Sequence, residues 1–136
     1  MKPPVDMGLV LIVDDVEVNR ILARAYLEML GWRVDDCEGG RQALEYLEGR
    51  TPEWVLLDIR MPGLDGIQLA RIIRQSHPMG SMRLAAYTAH AITEEVDHIR
   101  SAGFDHVLIK PVSLDDMNAA IGSPEAPLEH SNAVAA

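Results

Sequence analysis

The stretch Leu9-Val10-Leu11-Ile12-Val13-Asp14-Asp15 decides the fold. A run of apolar residues with no polar interruption describes a strand buried on both faces, and the abrupt change to two acids ends it. Trp54-Val55-Leu56-Leu57 repeats the theme and also stops at an acid, Asp58. Strands covered on both faces belong inside a parallel sheet, where neighbouring strands need crossover connections that helices supply.

The intervening segments fit that scheme. From Val18 the apolar positions Ile21, Leu22, Ala25 and Met29 share one helical face, and Gly31 follows where a C-cap is wanted. Arg33 to Cys37 is a weaker strand candidate. Gly39-Gly40 precedes a short helix carrying Ala43, Leu44 and Leu47, closed by Gly49. Met61-Pro62-Gly63-Leu64-Asp65-Gly66 is dense in turn formers, so Asp58 sits where strand becomes loop, and a helix runs from about Ile67 to Gln75. Arg83 to Tyr87 reads as a fourth strand ending at Thr88. Ile92, Val96 and Ile99 mark a helix that stops before Gly103. His106 to Ile109 reads as a fifth strand, ending at Lys110-Pro111. Ser113 with Asp116 resembles a capping box opening a last helix, with Leu114, Met117 and Ile121 inward. The right-handedness of crossovers puts helices on both faces of the sheet.

A chain of 136 residues is the size of one domain, and 48% apolar content supports a real core. The net charge of −9 argues against a nucleic-acid binder and against a basic membrane patch. The single Cys37 forms no internal disulfide, which points to a cytoplasmic protein. Met1-Lys2-Pro3-Pro4 lacks the apolar core of a signal peptide, and no apolar run is long enough to span a bilayer. The expected organisation is a disordered N-terminus (1–7), one domain (8–122) and a disordered tail (123–136) with no output domain attached.

Ligand crevices of open parallel sheets lie at the carboxyl ends of the strands. There the chain places Asp14 and Asp15, Asp58, Thr88 and Lys110. Each alone reads as an ordinary turn or surface residue; together at one end of four strands they read as a site. Three crowded carboxylates repel unless a cation enters, and a hard ion such as Mg²⁺ uses carboxylates, water and phosphate oxygens. One carboxylate can then be a nucleophile forming an aspartyl phosphate, with Lys110 and Thr88 contacting the phosphoryl oxygens.

These residues resemble the receiver domain of two-component response regulators. The motifs Leu-Ile-Val-Asp14-Asp15, Leu-Leu-Asp58-Ile-Arg-Met-Pro62-Gly-Leu-Asp65-Gly66, Thr88-Ala89 and Lys110-Pro111 occur in order from about Gly8 to Ile121. They are separated by 43 residues from Asp15 to Asp58, 30 to Thr88 and 22 to Lys110. The resemblance implies a doubly wound, flavodoxin-like (βα)5 α/β domain with strand order 2-1-3-4-5. It implies Asp58 as phosphoacceptor, Asp14 and Asp15 as metal-binding acids with Asp15 the direct ligand, and the backbone carbonyl of Arg60 as a further ligand to Mg²⁺. Thr88 corresponds to the switch hydroxyl and Lys110 to the family lysine, whose bond to Pro111 is usually cis. Such a domain accelerates its own phosphorylation and dephosphorylation without being a conventional enzyme. Its changed surface is formed by the fourth helix, fifth strand and fifth helix. The wording Asp15-Val-Glu-Val-Asn19-Arg20 and Thr88-Ala-His-Ala91 is similar to receivers of hybrid sensor kinases and phosphorelays. The implied partners are a histidine kinase or histidine phosphotransfer protein and a downstream protein target.

One position departs from the family pattern. The family usually has Tyr or Phe three residues before the lysine, and here that position is Val107. Tyr87 does not substitute, because neighbours on a strand point to opposite faces. Phosphorylation is then expected to be read through the loop and helix after Thr88, or only weakly. A pseudo-receiver, acting as a phosphorylation-independent interaction module, is the alternative. A small-molecule phosphohydrolase would need a substrate pocket and a general acid, and the chain offers no cap segment to build them. Arg60 and His90, each two residues after a pocket residue, are expected to tune water access to the aspartyl phosphate; a pair of solvated surface residues is the plainer reading.

Overall fold

The computed structural model describes residues 3–89 and 93–124. His90, Ile92 and most of the expected tail lie outside the described residues. Strands and helices alternate as β1 (Val5–Val13), α1 (Glu17–Met29), β2 (Arg33–Cys37), α2 (Gly40–Gly49), β3 (Thr51–Asp58), α3 (Gly66–Ser76), β4 (Arg83–Thr88), α4 (Thr93–Ser101), β5 (His106–Ile109) and α5 (Leu114–Ala120). All strand pairings are parallel. The sheet order is β2-β1-β3-β4-β5, as expected.

Strand alternation sorts the core into two layers. Leu11 and Val13 of β1, Val55 and Leu57 of β3, and Leu84 and Ala86 of β4 face one way. They pack on Ala43 and Leu47 of α2, Leu69 and Ile73 of α3, and Ile99 of α4. The residues between them, Val10, Ile12, Trp54, Leu56, Ala85 and Tyr87, face α1 and α5 through Ala23, Leu27, Met117 and Ile121. Leu9 to Val13 and Trp54 to Leu57 are all buried. Each large side chain so buried stabilises the fold by about 1.5–3 kcal/mol relative to leaving it exposed. The unbroken apolar runs thus reflect a sheet sandwiched between helices.

The burial of α1 differs from the sequence expectation. The apolar stripe Val18, Ile21, Leu22 and Met29 is exposed, and the helix buries Ala23 and Leu27 instead. Spacing alone identifies a helix but does not say which of two adjacent apolar stripes meets the sheet. Strand β1 also begins earlier than the apolar run. Residues 5–7, expected in a disordered N-terminus, pair with Thr51 and Pro52 through Val5 and Asp6, ahead of a register shift before Val10. Asp6 is held by Arg33 at 2.7 Å and Arg50 at 3.0 Å, and the Gly8 N–H donates to Glu53 at 2.8 Å. These contacts join residues distant in sequence, which a local hydropathy reading does not register.

Capping and close packing set where β3 ends. Asp65 accepts from the Gln68 N–H while the Gln68 side chain accepts from the Asp65 N–H, opening α3 with a complete capping box. Ser113 and Asp116 do the same for α5, as expected. Gly63 has φ +75°, the left-handed turn conformation suited to glycine. Gly66 is required for a different reason. A Cβ there would lie 2.4 Å from the carbonyl oxygen of Asp58 and 2.8 Å from the Ile59 Cα. The first turn of α3 therefore presses on the backbone that carries Asp58. Gly66→Ala is expected to destabilise the domain by about 1–3 kcal/mol through overpacking, measured by urea unfolding. Gly63→Asn, which tolerates positive φ, should cost much less.

Candidate functional site

The carboxyl ends of β1, β3, β4 and β5 bring the expected side chains together. Asp14 and Asp58 follow or end the two central strands, and both are buried. Asp15 is exposed at the rim. Asp14, Asp15 and Asp58 each offer a carboxylate oxygen, and these oxygens lie within 4.8 Å of one another. Lys110 reaches in from the end of β5, its Nζ 3.1 Å from Asp58 Oδ1 and 3.8 Å from Asp14 Oδ2. Its peptide bond to Pro111 is cis, and its backbone N–H donates to the Thr88 carbonyl at 2.8 Å. Thr88 is fully buried and stands one residue beyond Tyr87, the β4 partner of Asp58.

The backbone around Asp14 is fixed on several sides. Its N–H donates to the Cys37 carbonyl and its own carbonyl accepts from Arg20 Nη1 at 2.7 Å. Asp14 Oδ1 accepts from the Val16 N–H at 2.9 Å, and Oδ2 accepts from the Tyr87 hydroxyl. The Tyr87 ring also lies beneath the Lys110 ammonium, whose Nζ is 4.5 Å from the ring centroid. Tyr87 is therefore a pocket residue that the sequence reading set aside. The alternation argument itself holds, since Tyr87 packs in the α1/α5 layer while Val107 packs in the opposite one. What it misses is reach: a phenol is long enough to bring its hydroxyl past the strand end to the first strand's acid. Arg60 is exposed, and its guanidinium turns to Glu95 of α4 at 3.0 Å.

The electrostatics follow from crowding. Burial first, and then the neighbouring Asp14 charge, raise the Asp58 carboxyl above its ordinary value, against the lowering contact with Lys110. Burial, the bond to Asp14 and the acid charges raise the Tyr87 phenol, which keeps its proton as a donor. The Cys37 thiol turns to the Gly39 carbonyl, and burial pushes it up to about 11, which suits a packing residue. The donor set is all oxygen, hard, and in excess of negative charge, which fits a hard divalent cation.

This geometry defines a carboxylate pocket at the switch point of a doubly wound sheet, the place where ligands of such folds bind. The chain belongs to the response regulator receiver domain family, whose model matches residues 10–122. It is 37% identical over 113 residues to the aerobic respiration control sensor protein ArcB of Escherichia coli, covering 82% of this chain and 14% of that protein. It is 35% identical over 140 residues to the virulence sensor protein BvgS of Bordetella pertussis, covering 93% of this chain and 11% of that protein. The chain thus spans only a small part of these relatives. Among solved structures it is similar to the receiver domain of a sensor histidine kinase from Pseudomonas aeruginosa with a magnesium ion in the active-site cleft. That likeness has a TM-score of 0.73 and 30% identity, covering 87% of this chain and all of that one. These relatives agree with the similarity to sensor-kinase receivers expected from the wording around Asp15 and Thr88. No helix among the described residues is long and apolar enough to cross a membrane.

A raised Asp58 carboxyl has a stability consequence of definite sign. The ionised form is disfavoured in the folded state, so the penalty is complete above the raised value and absent below the ordinary one, 3.8. Without divalent cations at pH 7, Asp58→Asn is expected to raise the melting temperature by on the order of 4 °C. Calorimetry across pH should show that gain disappearing as pH falls through the titration toward the ordinary carboxylate range.

Proposed function

We propose that the chain is a phosphoacceptor whose Asp58 takes a phosphoryl group from a phosphohistidine of a histidine kinase or phosphotransfer protein. The observation that carries this reading is the contact of Lys110 Nζ with Asp58 Oδ1 at 3.1 Å, inside a pocket shared with two further carboxylates. An Asp58 oxygen attacks phosphorus, the phosphorus–nitrogen bond breaks, and the imidazole leaves. The Lys110 ammonium, already in place, pairs with the phosphoryl oxygens as charge builds on them. Thr88 stands at the neighbouring strand end as the hydroxyl that meets the transferred group. Asp15, Asp58 and the backbone carbonyl of Arg60 would hold Mg²⁺ directly, with Asp14 contributing its charge from behind. The bound ion offsets the negative charge that three carboxylates and a phosphoryl group bring to one place.

The exposed stripe of α1 supports a docking role for the phosphodonor. Leu22 of that stripe lines a groove of about 370 Å³, shared with Tyr26, Lys110 and Met117, that opens beside the reactive pocket. A histidine-bearing helix laid there would present its phosphoryl group to Asp58. For readout toward a downstream protein, the Arg60–Glu95 pair links the loop after Asp58 to α4, one of the elements of the α4, β5 and α5 surface. Arg60, two residues after Asp58, also limits water access to the aspartyl phosphate.

Incubation with acetyl phosphate and Mg²⁺ should add about 80 Da to the intact mass, the increment of one acyl phosphate. The adduct should be absent from Asp58→Asn and when the cation is chelated. An unmodified wild-type mass would favour the phosphorylation-independent interaction module instead. In the phosphorylated protein, Arg60→Ala should shorten the lifetime of the adduct severalfold, followed by the decay of that mass.

A further inference from the structure

Tyr87 lies outside the carboxylate, hydroxyl and ammonium set of the pocket, yet it touches two members of that set. Its hydroxyl donates to Asp14 Oδ2, and its ring supports the Lys110 ammonium at 4.5 Å. Asp14 is wholly buried, and its other oxygen is occupied by the Val16 N–H. A buried carboxylate oxygen deprived of its donor carries a large desolvation penalty and draws in any cation within reach. Arg20 is engaged with the Asp14 backbone carbonyl, and the cation placed against Oδ2 is Lys110, 3.8 Å from Asp14 Oδ2 against 3.1 Å from Asp58 Oδ1. Two acids therefore compete for one ammonium, and the phenol proton biases the competition.

We propose that Tyr87 is a positioning residue for phosphoryl transfer: its hydroxyl satisfies Asp14 and its ring supports the ammonium, so that Lys110 stays directed at Asp58. The inference rests on the reading of Asp58 as phosphoacceptor. It also assigns the last two residues of β4 to separate tasks from opposite faces of the sheet. Thr88 meets the transferred group, while Tyr87 keeps the first strand's acid from capturing the ammonium. Tyr87 is in register with Asp58 across β3 and β4, so its placement is tied to that of the acceptor itself.

Tyr87→Phe removes one oxygen and keeps the ring in its packing, whereas Tyr87→Leu removes both supports. At saturating Mg²⁺ the initial rate of phosphorylation by acetyl phosphate is expected to fall about tenfold in Tyr87→Phe, a usual size for loss of an orienting contact, and further in Tyr87→Leu. The Mg²⁺ dissociation constant of Tyr87→Phe, measured by calorimetry, should stay within about twofold of wild type, because the ammonium replaces the phenol proton beside Asp14. A crystal structure of metal-free Tyr87→Phe should place Lys110 Nζ nearer to Asp14 than to Asp58. The proposal is overturned by an unchanged rate in Tyr87→Phe, or by Lys110 remaining on Asp58 in that structure. A joint loss of rate, Mg²⁺ affinity and melting temperature would also overturn it, because that is the signature of packing alone. A wild type that takes no phosphoryl group would refute the acceptor reading, and the position of Lys110 in the variant structure would still decide the role of Tyr87.

Discussion

Two buried carboxylates share one ammonium at the top of the sheet, and much of the structure is arranged around that shortage of positive charge. Asp14 and Asp58 sit at the carboxyl ends of adjacent central strands, and Lys110 arrives from the far edge. Like charges so close are tolerated only where the surroundings hold them. The fully apolar interiors of β1 and β3 provide the rigidity, since a sheet packed on both faces does not yield by a few tenths of an ångström to relieve repulsion. The pressure of Gly66 on the Asp58 carbonyl fixes the same point from the loop side. The excess negative charge is what fits the pocket to a hard cation.

The division of labour among the helices follows from the same layering. The helices α2, α3 and α4 cover one face of the sheet, while α1 and α5 cover the other. On that second face α1 buries only Ala23 and Leu27. It leaves Val18, Ile21, Leu22 and Met29 in solvent, with Leu22 lining the groove that reaches Lys110. An amphipathic helix oriented for packing alone would turn that stripe inward. Its exposure therefore favours a partner surface on this helix, in keeping with the proposed docking of a phosphodonor.

The departure at Val107 is local. Val107 is half-buried against the layer shared with α3 and α4 and has no ring to swing. Two other connections involve residues in or next to the pocket. Arg60 joins the loop after Asp58 to Glu95 of α4, and Tyr87 joins Asp14 to the underside of Lys110. A readout built on them depends on redistribution of charge, with no requirement for an aromatic rotation.

The sequence by itself determined a parallel sheet and the convergence of Asp14, Asp15, Asp58, Thr88 and Lys110, the strand order following from the family resemblance. Unbroken apolar runs ended by polar residues have few other structural meanings, and strand ends in such a fold share one edge. Caps such as Ser113 with Asp116 were legible too, because they are local in the chain. Only the tertiary structure decided which stripe of α1 is buried, that β1 begins at Val5, that Gly66 is needed for close approach, and that Tyr87 enters the pocket. Each of these depends on contacts between residues far apart in sequence. Periodicity assigns a residue to a face, but the length of its side chain and the partners that face meets are settled only when the strands and helices are packed together.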